Sequence, residues 1–151
     1  LLQENLPSKR KFFNSLIFLS NIINETVKRF EIIVKGNVQK VGYRDYVEEV
    51  ARRLGIVGFV ENAKDGSVRI ICETNEEMVK RFIDQININE GLIKVEDIQI
   101  KDLGIATGDF KYFEIKYGTP AEELGDRVMT LIKYMSAIWD EIKKIKQILK
   151  E

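Results

Sequence analysis

No histidine occurs in the 151 residues, and the chain has one cysteine, one tryptophan and two prolines. A lone cysteine with no histidine argues against a zinc site, because the soft and imidazole ligands from which such sites are assembled are missing. The same lone thiol excludes an internal disulfide framework and fits a reducing compartment, so we expect a cytoplasmic protein. Cys72 itself falls in the apolar run Val68 to Cys72 and reads as a small core residue rather than a nucleophile. Charge of one sign is also lacking. The 24 basic residues balance 24 acidic ones, which leaves no electrostatic pointer to nucleic acid or membrane. Internal repeats and low-complexity segments are absent, and 44% hydrophobic residues are enough for one core with appendages.

What the chain does have is a glycine-punctuated loop between an apolar strand and a helix. The strand Phe30 to Val34 runs into Gly36-Asn37-Val38-Gln39-Lys40-Val41-Gly42, and helical spacing resumes at Tyr43. Such a loop can turn consecutive backbone N–H groups toward one point, where the helix start adds unpaired donors and the positive end of its dipole. Arg44, in the first helical turn, is placed to close this anion cradle with a bidentate grip on phosphate. A turn of this kind also arises for backbone geometry alone.

A second segment, Gly58-Phe59-Val60-Glu61-Asn62, reads as a strand with Phe59 and Glu61 on one face and Val60 and Asn62 on the other. Asp65-Gly66 then signals a hairpin. Asn62 therefore stands at a strand end, as a turn residue or as a polar group presented to a ligand.

Together these residues resemble the acylphosphatase family. Its first motif, Gly-x-Val-Gln-Gly-Val-x-Phe-Arg, is met at Gly36, Val38, Gln39, Val41 and Arg44; its second at Gly58, Phe59, Val60, Asn62, Gly66 and Val68. The resemblance covers about residues 29 to 118. It implies hydrolysis of a carboxyl–phosphate anhydride to carboxylate and inorganic phosphate, without metal or cofactor and with the substrate accepting the proton. It also implies that the amides of Val38, Gln39, Lys40, Val41, Gly42 and Tyr43 bind phosphate with Arg44, and that Asn62 orients the attacking water. Three positions depart from the pattern. Lys40 replaces a glycine, Tyr43 a phenylalanine, and Glu61 stands where the family prefers basic or neutral residues. If position 40 takes a positive φ, lysine there is strained by about a kcal/mol. A weakened or inactive module that only binds an anion, or assembles with partners, is the alternative reading.

Around these motifs the pattern predicts a strand over 30–36, a helix over 43–54 stopped by Gly55, and strands near 57–62 and 67–73. Thr74 with Glu77 reads as a capping box opening a second helix that ends near Asn89, followed by strands over 93–103 and 112–117. This βαββαβ order with one further strand gives an α+β fold, a ferredoxin-like sandwich with a mostly antiparallel sheet. Such sandwiches also bind RNA, but Phe30-Glu31-Ile32-Ile33-Val34 and Val68-Arg69-Ile70-Ile71-Cys72 carry no aromatic pair for stacking bases.

The ends add helices to this core, so we divide the chain into an N-terminal helical extension (1–28), the acylphosphatase-like domain (29–118) and a C-terminal helix (119–151). Thr119, Pro120 and Glu122 form a strong helix start. After it Leu124, Val128, Leu131, Met135, Ile138, Ile142, Ile145 and Leu149 keep a heptad seam to the end, a possible coiled coil. A helix of about 30 residues spans roughly 45 Å, so it either lies along its own domain or associates with a second copy. Phe12, Leu16, Leu19 and Ile23 form a second amphipathic stretch able to pair with it, within or between chains. Lys9-Arg10-Lys11 before this run imitates a signal peptide. The interrupting Asn14, Asn21 and Asn24, the short length and the lack of a cleavage site oppose that and a membrane span. The chain begins at Leu1 and not at a methionine, and we expect a start farther upstream.

Overall fold

A six-stranded sheet in the order β4-β5-β1-β3-β2-β6 organises the computed structural model, which describes residues 8–151. Residues 1–7 of the expected N-terminal extension lie outside the described residues. The elements are α1 (Lys9–Glu25), β1 (Lys28–Asn37), α2 (Tyr43–Arg53), β2 (Val57–Asn62), β3 (Val68–Thr74), α3 (Glu76–Ile86), β4 (Asn89–Glu90), β5 (Ile93–Ile105), β6 (Phe113–Lys116) and α4 (Pro120–Ile148). All pairings are antiparallel except β2 with β6. This is the ferredoxin-like α+β arrangement, with the two-residue β4 added to the expected strands.

Alternation decides which face is buried. Phe30, Ile32 and Val34 of β1 and Val68, Ile70 and Cys72 of β3 point to one side, where they meet Val47, Val50 and Ala51 of α2 and Val79, Phe82 and Ile86 of α3. Each fully buried side chain of this size contributes about 1.5–3 kcal/mol, so this single layer carries the domain. Cys72 is part of it, and burial pushes its thiol up to about 12, which leaves it protonated and inert as a nucleophile. On the opposite face Arg69 links Glu31 (2.7 Å) and Glu61 (3.0 Å).

Two motif glycines are required by close approach. Gly36 (φ 134°) and Gly58 (φ 144°) lie so near a neighbouring strand that an added Cβ would run into the carbonyl oxygens of Lys94 and Ile71 respectively.

The start of α3 differs from the expectation. Thr74 is consumed by the β1–β3 ladder opposite Lys28, so Asn75 caps the helix instead, its side chain accepting a hydrogen bond from the Met78 N–H at 2.8 Å. The helix ends at Ile86 rather than near Asn89, because Asn89 and Glu90 pair with β5 in a short hairpin. At α4 the expected capping box is present, with Thr119 and Glu122 bonded reciprocally.

The terminal helices leave their apolar residues in solvent. α1 lies against α3, and its Phe12, Phe13, Leu16 and Leu19 are exposed. α4 has no buried residue, and its whole seam from Leu124 to Leu149 is exposed. No described helix is long and apolar enough to cross a membrane.

Candidate active site

The loop from β1 to α2 has the cradle form. Residues 39–42 bend without turn hydrogen bonds, and among the described residues the backbone N–H groups of 39–43 donate to no protein acceptor. Lys40 (φ 58°) and Gly42 (φ 80°) both take the left-handed conformation. Lysine therefore follows the backbone path that glycine would take, at a cost of about 1 kcal/mol, and its side chain leaves the loop toward Asp126, 3.9 Å away. Gln39 anchors the cradle to the neighbouring hairpin by donating from Nε2 to the carbonyl oxygens of Ala63 and Ser67, both at 2.8 Å. Asp65 closes that hairpin, its Oδ1 accepting from Ser67 N–H (3.0 Å) and Oγ–H (2.6 Å). Val38, Val41 and Tyr43 turn their side chains into the core, and the Tyr43 hydroxyl donates to the Ile86 carbonyl at 2.8 Å. At these positions only the backbone amide is available to an anion.

Arg44 and Asn62 come together. They line one cavity of about 720 Å³, bounded on one side by the cradle and on the other by α4. Among the described residues Asn62 Oδ1 is a buried side-chain acceptor without a hydrogen-bond partner, so a donor from a ligand or water is the partner it lacks. Glu61, its neighbour, points to the far side of the sheet and is neutralised there by Arg69 at 3.0 Å. The carboxylate therefore does not face the site.

α4 supplies what the motifs did not announce. Arg44 donates from Nη1 to Glu123 Oε1 at 3.0 Å and from Nη2 to Glu123 Oε2 at 2.8 Å, and both side chains are only 14% exposed. Glu123 Oε1 also accepts from the Gly118 N–H at 2.7 Å, and the Tyr117 ring lies 5.4 Å from the guanidinium carbon. Tyr134 donates its hydroxyl to the Val41 carbonyl at 3.0 Å, which pins the middle of the helix to the loop. Glu123, Asp126, Thr130 and Tyr134 recur at three- and four-residue spacing. That polar stripe was available in the sequence beside the apolar seam.

The Arg44 guanidinium holds the Glu123 carboxyl below the usual carboxylate range, outweighing burial, which acts the other way. Its folded pKa is thus lower than its unfolded one, and the stability it contributes is present above about pH 4.3 and lost as pH falls through the lowered value. We expect the native chain to melt higher than Glu123→Gln at neutral pH, and the difference to close on acidification below about pH 4. Melting curves of both proteins across that range check this; a constant difference would contradict it.

The acylphosphatase family model matches residues 30–115, more than half of the chain. The chain belongs to the acylphosphatase family. It is 37% identical over 87 residues to an acylphosphatase of Archaeoglobus fulgidus, covering 58% of this chain and 96% of that one. The crystal structure of the Bacillus subtilis acylphosphatase superposes with a TM-score of 0.56 at 31% identity, over 60% of this chain and 99% of that one. An acylphosphatase-like protein of Methanocaldococcus jannaschii is 35% identical over 133 residues, 82% of this chain and 83% of that protein. This last match takes in more of the chain than residues 30–115, so it extends beyond the span of the family model. The family's relation to acyl phosphates thus attaches to the central domain, and α4 lies over the site from outside that span.

Proposed function

We propose that residues 29–118 hydrolyse acyl phosphates to a carboxylate and inorganic phosphate, with residues 1–28 and 119–151 as helical extensions. The observation that carries this reading is the convergence of unpaired cradle amides, Arg44 and the unpartnered Asn62 Oδ1 on one cavity. The amides of Val38 to Tyr43 and the Arg44 fork surround the phosphoryl oxygens and stabilise the charge that builds on them. Asn62 accepts a hydrogen bond from water and holds its oxygen in line with the phosphorus. The new bond forms from water oxygen to phosphorus as the bond to the acyl oxygen breaks; the carboxylate leaves without needing a proton, and the proton released by the water passes to a phosphoryl oxygen of the substrate and stays on the inorganic phosphate. Positioning and electrostatics are then the protein's whole contribution, as phosphoryl transfer to a good leaving group requires. Turnover of benzoyl phosphate by the purified chain tests this, with Arg44→Ala and Asn62→Ala beside it.

A second reading is favoured by the Arg44–Glu123 pair, which already neutralises the guanidinium. In it the chain is an acylphosphatase-like module with weak or no turnover that acts through its helices. An absence of turnover in the native chain and in Glu123→Gln alike would support it.

In both readings the terminal helices join copies of the chain. The exposed seam of α4 and the exposed Phe12, Leu16 and Leu19 of α1 are faces that a monomer leaves wet. Ile142→Asp with Ile145→Asp, beyond the residues that line the cavity, should turn a dimer into a monomer in sedimentation; an unchanged mass would exclude the seam as the contact.

A further inference from the structure

We propose that Glu123 is a built-in competitor for the phosphoryl site, a carboxylate carried in on α4 that occupies Arg44 until a phosphorylated ligand displaces it. The proposal rests on the reading of the cradle and Arg44 as that site. Two carboxylate oxygens on two guanidinium nitrogens, at 3.0 and 2.8 Å, reproduce the fork-to-fork contact by which arginine holds a phosphoryl group. One helical turn on, Asp126 lies 3.9 Å from the Lys40 ammonium. Both cationic side chains at the cradle are thus met by acids on one face of one helix.

The way α4 is attached makes this contact displaceable. None of its residues is buried, so the helix is held on the domain by polar ties, namely Arg44–Glu123, Lys40–Asp126 and Tyr134 to the Val41 carbonyl. No α4 residue belongs to the core, so releasing Glu123 leaves no hole in it. A phosphoryl dianion brings more charge and more acceptor oxygens to the fork than a carboxylate does, and it also reaches the cradle amides that Glu123 leaves free. A carboxylate product has no such advantage over Glu123, so the internal carboxylate discriminates for phosphoryl ligands and against carboxylates.

A site that opens only part of the time binds with its intrinsic affinity reduced by the open fraction. A charge-assisted, largely buried pair of this geometry lowers that fraction roughly 10- to 100-fold. Calorimetric titration of inorganic phosphate into the full chain reads this directly. Glu123→Gln should bind phosphate tighter than the native chain by that factor, and the gain should vanish when Arg44→Ala is added. Glu123→Ala, which keeps no polar side chain there, should show the same gain if the glutamine variant folds poorly. Equal, measurable binding by native and Glu123 variants would overturn the competitor while leaving the phosphoryl site standing, as would a gain that survives Arg44→Ala. No binding by any of them would overturn the phosphoryl site and the competitor with it.

Discussion

Arg44→Ala should lower benzoyl phosphate turnover by about 10²- to 10³-fold, the usual cost of removing one preorganised group that stabilises transition-state charge. The guanidinium is the one side chain of α2 that reaches the cavity with two donors in fork geometry, and α2 begins immediately after Gly42, so its first-turn amides face the same point. Phosphate affinity and kcat should fall together, because the contact is made in the bound state and strengthened as charge accumulates on the phosphoryl oxygens. The fold itself should survive. Arg44 sits at the start of a helix whose core contacts come from Val47, Val50 and Ala51, and the loss of its partner leaves Glu123 on the Gly118 amide. Comparing the variant with the native chain, and with Glu123→Gln as a second reference, reads the effect in both a closed and an opened site. Equal rates in all three would remove Arg44 from the chemistry.

Asn62→Ala should leave phosphate binding nearly unchanged and lower kcat by roughly 10²-fold, since misplacing the attacking group by about an ångström is enough for a loss of that size. The distinction follows from where the residue sits. Asn62 ends β2, paired with Val68, on the cradle side of the sheet but without a charge to offer the phosphoryl group. Its unpartnered Oδ1 is an acceptor, and an acceptor orients water rather than binding an anion. Steady-state kinetics together with a phosphate titration separate the two quantities. A variant that loses binding and keeps its rate at saturation would reverse the assignment.

Much of this was legible in the chain because it is encoded locally. Gly36, Gly42 and the resumption of helical spacing at Tyr43 place a loop between strand and helix. Alternation from Gly58 to Asn62 with the turn at Asp65-Gly66 places Asn62 at a strand end and sends Glu61 to the far face. The cap of α3 was misread by one residue because Thr74 and Asn75 are both capping types, and only the strand register decides between them. Glu123 was legible as a member of a polar stripe on α4, but its pairing with Arg44 was not. Its partner lies 79 residues away, and the contact depends on the path α4 takes, which neither its cap nor its heptad seam specifies. Lys40 was legible as a departure but not in its outcome, since the side chain's escape toward Asp126 again depends on α4.

In the proposed mechanism, water held by Asn62 attacks a phosphorus held by the cradle and Arg44. Hydrolysis of benzoyl phosphate in water enriched in the heavy oxygen isotope, followed by mass analysis of both products, tests it most directly. The label should appear in inorganic phosphate and not in benzoate; label in the benzoate would place the attack on the acyl carbon and contradict the roles given to Arg44 and Asn62.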